Sequence, residues 1–168
     1  MHVPEIVEEL DALYERGREN EAERFLEGWR EKAVGVGDWR GELSMLSELL
    51  GQYRRSKNRE KGLRAVEDGL RLIREHNMGE TLSGATVMLN AATTMKCFGE
   101  AEASLPIFRH VCRVYAKHLD PLDYRFAGLY NNMALALVEL RRFDEAFECY
   151  EKALAVMEQA ENGEPEQA

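Results

Sequence analysis

Few residues in this chain could do chemistry together. His110 and Cys112 stand two apart in a helical stretch, with His118 further along. A metal needs its ligands converging on one point. A spacing of two on a helix turns the pair about 200° apart, and His118 lies two turns beyond His110, too far to share an ion. The carboxylate pairs Glu8-Glu9 and Glu100/Glu102 have the right groups for acid–base work, but they fall on charged helix faces where hydration is the ordinary state. No H-E-x-x-H, no G-x-S-x-G and no glycine-rich phosphate loop occurs. These observations predict a protein that is not an enzyme and uses no cofactor and no metal.

Cys97, Cys112 and Cys149 are an odd number, widely spaced within helical patterns. They predict small core or half-buried thiols in a reducing compartment, and hence a cytoplasmic protein. The chain has 168 residues, 45% of them hydrophobic and 32% charged, which suits a folded domain. With 31 acidic groups against 22 basic ones, the net charge is −9. A nucleic acid is therefore not the expected partner, since phosphates require a basic face. The densest basic stretch, Arg54-Arg55-Ser56-Lys57-Asn58-Arg59, reads as a helix end and turn. No apolar run is long enough for a membrane span, and no membrane partner is expected.

The elements that must position any site are helical. Apolar residues recur at steps of three and four, as in Ile6/Leu10/Leu13, Leu43/Leu46/Leu50, Leu63/Val66/Leu70/Ile73 and Leu129/Met133/Leu137/Leu140. Breaks at Gly17, Gly35–Asp38, Ser56–Asn58, Asn77–Gly79, Phe98-Gly99, Asp120-Pro121 and Arg141–Asp144 predict eight helices of about 13 to 19 residues. Asp38, Asn58, Asp120 and Asp144 are the candidate N-caps or turn residues.

Internal repetition decides how those helices are arranged. A step of 42 residues carries Ser104 onto Ala146, Phe108 onto Tyr150 and Cys112 onto Leu154. The same step carries Gly62 onto Ser104 and Val66 onto Phe108, and a step of 40 carries Ala22 onto Gly62. Each second helix thus opens on a small residue, with a bulkier one four places on (Leu26, Val66, Phe108, Tyr150) to fill the space between units. Trp29, Trp39, Phe98, Tyr115 and Phe143 also fall on expected packing positions. One helix pair cannot bury its own apolar faces, so neighbours must stack.

The stretch Leu129–Leu137, then Arg142-Phe143-Asp144-Glu145-Ala146, then Tyr150-Glu151-Lys152-Ala153-Leu154, resembles the tetratricopeptide repeat. The longer period resembles that of kinesin light chains and of bacterial regulators carrying such repeats. The resemblance implies an all-α, right-handed superhelical solenoid of antiparallel helix pairs. A single solenoid would run over residues 1–161, in units of about 3–35, 38–78, 80–120 and 122–161. Residues 162–168 would be a polar tail or the start of a further repeat.

In that family the first helix of each unit lines a concave groove. Carried over by position, the groove would hold Glu8, Asp11, Tyr14, Ser47, Glu48, Arg54, Arg55, Thr86, Asn90, Thr93, Lys96, Asn131, Asn132 and Leu135. Asn90 and Asn132 share one repeat position, where an amide offers both a donor and an acceptor to a bound backbone. The basic pair of a carboxylate clamp is missing, because Gly128 and Asn132 stand in its place. The groove is expected to take a protein or peptide segment of mixed charge. Two alternatives remain open: a peptide-sensing part of a regulator, or a self-assembly module. The last would form a homodimer through residues 143–161, where Phe147, Tyr150, Leu154 and Met157 make an apolar face.

Overall fold

The computed structural model describes residues 3–162. Among these the chain is all helix: α1 (Val3–Glu15), α2 (Glu19–Gly35), α3 (Trp39–Arg55), α4 (Arg59–Glu75), α5 (Leu82–Cys97), α6 (Ala101–His118), α7 (Arg125–Glu139) and α8 (Phe143–Asn162). They fall into two compact units, 1–78 and 79–168.

Most connections use one device. The second residue after the helix end turns left-handed at Gly17, Gly37, Lys57, Asn77, Gly99 and Arg141, with φ between 53 and 85°. Its N–H bonds to the carbonyl three residues back, as Gly17 to Tyr14 at 2.9 Å and Arg141 to Val138 at 2.9 Å. The following N–H reaches five back, as Arg18 to Leu13 at 2.9 Å and Arg142 to Leu137 at 2.8 Å. This pair of bonds satisfies the carbonyls that a helix end leaves open. At five of the six sites the next helix starts at once. Asp38 and Asn58 then cap it, accepting from the N–H of Gly41 at 2.9 Å and of Lys61 at 3.1 Å. Thr81 caps α5 in the same way through the N–H of Gly84.

Asp120, expected as a cap or a turn residue, is the latter: it accepts from the N–H of Leu122 in a turn, and α7 begins only at Arg125. The sequence reading needs correction at two points. Asp144 lies inside the first turn of α8, where its charge favours the helix N-terminus without capping it. Cys97 is exposed rather than core or half-buried, while Cys112 and Cys149 are half-buried and buried.

Link lengths account for the two repeat steps. In the first unit three residues join α2 to α3 and α3 to α4, and each of these helices has 17 residues. Helix plus link is therefore 20 residues, and a pair spans 40. The segments 76–81 and 119–124 are six residues long, and with slightly different helix lengths they stretch the later step to 42.

In the first unit the core runs from Ile6 and Leu10 through Leu26, Met45, Leu46, Leu49 and Leu50 to Val66 and Ile73. In the second unit, α6 buries Leu105, Phe108 and Tyr115 against Phe126, Leu129 and Leu137 of α7. The small residues that open each second helix, Ala22, Gly62, Ser104 and Ala146, are all buried. The bulkier positions divide. Leu26, Val66 and Phe108 are buried, but Tyr150 is 37% exposed and Phe143 is exposed too. No described helix covers that face of α8.

Phe108→Ala should cost about 3 to 5 kcal/mol in urea unfolding, whereas Tyr150→Ala, at the same repeat position, should cost well under about 1 kcal/mol. Comparable losses would mean that α8 is covered in solution. Lys57→Gly and Arg141→Gly should each raise stability by up to about 1 kcal/mol, because glycine adopts the left-handed conformation without the Cβ clash. Gly99→Ala should lower it similarly, for conformational reasons alone, since a Cβ there meets no atom within 4 Å.

Candidate functional site

The first helices of each pair carry the expected groove residues, and each compact unit holds its own set. In the first unit, the C-terminal ends of α1 and α3 meet. The Tyr14 hydroxyl donates to Gln52 Oε1 at 3.0 Å, and the buried Gln52 amide donates in turn to the Glu19 carbonyl at 3.1 Å. The Arg55 guanidinium lies over the Tyr14 ring, 4.3 Å from its centre. Burial pushes the Tyr14 phenol up from its ordinary range, and Arg55 works against that shift. Tyr14 therefore props the two helices together as well as facing outward.

One turn earlier, Glu48 is half-buried. Burial, and then the nearby Asp11 carboxylate, push its carboxyl above the usual carboxylate range, with Arg55 opposing. Asp11, Tyr14, Glu48 and Arg55 thus form one electrostatic cluster. Glu8 is exposed on α1, outside this cluster. Ser47 and Arg54 are half-buried on α3, and Arg54 Nη2 lies 3.8 Å from where a Cβ on Gly51 would stand. Both arginines occupy the last turn of α3, where they complement the helix dipole.

In the second unit, Lys96 Nζ donates to Asn132 Oδ1 at 3.4 Å, and Asn132 Nδ2 donates to the Gly128 carbonyl at 2.9 Å. Lys96 and Asn132 are therefore brought together across α5 and α7. Asn90 is half-buried on α5, six residues before Lys96. The threonines turn back on their own helix, Thr86 to the Leu82 carbonyl and Thr93 to that of Leu89. Asn131 and Leu135 are exposed on α7.

Some polar structure was missed from sequence. On α2 and α4, Lys61 Nζ binds Glu23 at 2.7 Å and Glu27 at 2.8 Å, and Tyr53 Oη donates to Glu27 at 2.9 Å. Arg30 binds both the buried Glu42 of α3 and Asp68 of α4. A signal existed: Tyr14–Gln52, Glu23–Lys61 and Arg30–Asp68 are each separated by 38 residues. That is the 40-residue step less two, so equivalent helices meet at a constant stagger. A cleft of about 570 Å³ opens beside this network, lined by Glu27, Arg30, Val34, Leu49, Tyr53 and Lys61. Its lining comes from the second helices α2 and α4 together with Leu49 and Tyr53 of α3, and includes none of the expected groove residues.

His110 and His118 each lie against a backbone carbonyl. His110 Nε2 lies 2.8 Å from the Gly79 carbonyl and His118 Nε2 3.0 Å from that of Glu80. Among the described residues, no group of three or more His, Cys, Asp or Glu could hold a metal ion. Burial raises the Cys112 thiol to about 11, which makes it a poor nucleophile near neutral pH. Trp39 stacks on His76 with ring centres 3.9 Å apart, while Trp29 packs against Phe25 and Lys32 of its own helix. No described helix is long and apolar enough to cross a membrane.

Residues 126–165 match the sequence model of the tetratricopeptide repeat. BtubC (BKLC) of P. vanneervenii is similar in structure with a TM-score of 0.74 at 16% identity, over 94% of this chain. The chain spans 63% of the length of that protein. The TPR-like repeats of a protein from Podosopora anserina, described as a kinesin light chain, superpose with a TM-score of 0.73 at 17% identity. There 92% of this chain covers 74% of the other. No curated protein matches. At such identities the structural likeness shows the fold, an all-α helical-repeat solenoid of antiparallel helix pairs.

Glu48 supplies a pH test. Its raised pKa means that the folded state binds the proton more tightly than the unfolded one, so ionised Glu48 weakens the fold above the folded pKa. Glu48→Gln should raise the melting temperature at pH 7, and the gain should fade as pH drops below the usual carboxylate range. A constant gain from pH 3 to pH 8 would contradict the assignment.

Proposed function

We propose, from the match of residues 126–165 to the tetratricopeptide repeat and the helical-repeat fold, that the chain is a non-catalytic scaffold. It binds a protein or peptide segment on the faces presented by the first helices of its repeats. The observation that carries this reading is the cluster around Glu48. A half-buried carboxylate beside a second acid, with the Arg55 guanidinium nearby, has already lost part of its hydration. A cationic side chain from a ligand can therefore pair with it at a reduced desolvation cost. Arg55, over the Tyr14 ring, offers the opposite charge within the same cluster. In the second unit, Lys96, Asn90 and Asn132 present polar groups suited to a peptide backbone or carboxylate. A segment carrying both charges would be held by many modest contacts, with charge setting selectivity more than strength.

The test begins with partners captured on the immobilised chain. Glu48→Lys with Asp11→Lys should weaken capture of such a partner at least about tenfold, a change of about 1.4 kcal/mol, and make it less sensitive to salt. Asn90→Ala with Asn132→Ala should weaken it without changing helicity by circular dichroism. Retention of full capture by both double variants would exclude the groove.

A further inference from the structure

The face of α8 that no described helix covers has a composition of its own. Phe143, Phe147, Tyr150, Leu154 and Met157 form one stripe, each between 37 and 63% exposed. Steps of four, three, four and three keep them on a single side of the helix. Forty-two residues earlier, the same positions on α6 are Ala101, Leu105, Phe108, Cys112 and Tyr115. Four of these are buried and Cys112 is half-buried, in the core that α6 shares with α7. This face of the repeat is therefore built to receive a helix.

Charge narrows down which helix. Asp144, Glu148, Glu151 and Glu158 are all exposed and lie about 60 to 140° around α8 from the stripe, along its free edge. The other edge is the seam buried by Ala146, Cys149, Ala153 and Val156. The acidic row is not part of the repeat, because α6 carries Glu102, Pro106, Arg109 and Ala116 at the matching places. Lys152 does not neutralise it, since it turns away and lies 5.8 Å from the ring centre of Tyr130 on α7. A second copy of α8 packed antiparallel would bring carboxylate row against carboxylate row, in a chain already at −9, and one packed parallel would set each row against the edge of α8 that is already buried in its own unit. The first helix α1 is no better suited, with Glu5, Glu8, Glu9 and Asp11 exposed.

We propose that α8 docks an amphipathic helix from a partner, whose apolar stripe is flanked by lysine or arginine on the side facing the acidic row. This site is separate from the faces of α1, α3, α5 and α7. Burial of the stripe supplies affinity, and the carboxylates set orientation and exclude acidic helices.

The probe is a synthetic helical peptide of about 18 residues with leucines at the stripe spacing and lysines on its flank. A second peptide carries glutamates in place of the lysines. Fluorescence anisotropy should show the lysine peptide binding the chain and the glutamate peptide failing to bind. Phe147→Ser with Leu154→Ser should weaken the lysine peptide at least about tenfold. These residues are solvent-exposed, so the variant should keep its helicity. Glu151→Lys with Glu158→Lys should also weaken it and admit the glutamate peptide. Asp11, Glu48, Asn90 and Asn132 variants should leave it unchanged, which separates this proposal from the groove. Equal binding of the two peptides, binding of neither, or indifference to the α8 variants would overturn the proposal. So would light scattering that gives twice the 19.2 kDa chain mass and returns to one chain in Phe147→Ser with Leu154→Ser, which would assign the face to a second copy.

Discussion

The structure depends on a pair of backbone hydrogen bonds that closes a helix with one left-handed residue. That closure occurs after α1, α2, α3, α4, α5 and α7, and at all but one of these sites it lets the next helix begin after only three residues. So short a link leaves adjacent helices little choice but to lie antiparallel and touching. Helix length then sets the repeat. Three helices of equal length with equal links give the first unit a constant stagger, and polar partners on equivalent helices consequently meet at one sequence separation. The tyrosine–glutamine prop, the lysine between two glutamates and the arginine between two acids are the same geometrical relation, filled with different chemistry.

Much of the fold was legible in the residues. Glycines at 17, 37 and 99 and polar clusters elsewhere announced the breaks, and the small residue opening each second helix announced the stacking. Less legible was what happens at Lys57, Asn77 and Arg141. Nothing in a lysine or an arginine signals a left-handed backbone, and only its place in the repeat reveals it. Asp120 left two readings open because an aspartate before proline serves a turn as well as a cap, and the turn is the one realised. Its connection is the one that does not use the shared closure.

The binding faces were less legible than the fold, for a physical reason. Sequence position tells which side of a helix a residue occupies, but not whether its hydrogen bonds are already spent. Asn132 has both sides of its amide engaged, and the Tyr14 hydroxyl is committed to Gln52. Glu48 gained significance only through partial burial beside Asp11, which depends on how α1 and α3 meet. The apolar stripe of α8, by contrast, was visible from spacing alone. Its acidic border emerges only when α8 is compared with α6, where the stripe is kept and three of the four carboxylates are not.

The shared turn also bears on how the chain acquires its structure. Each closure is made from groups within six consecutive residues, and within each unit the helices on either side of it pack on each other. Native contacts are thus mostly local in sequence, the condition under which little loop entropy must be spent before packing is rewarded. Such a chain can begin folding at any of several helix hairpins and grow outward from it. A stripe left bare on α8 would be exposed at every stage of that growth, which makes its acidic border a safeguard against premature self-association as well as a feature of recognition.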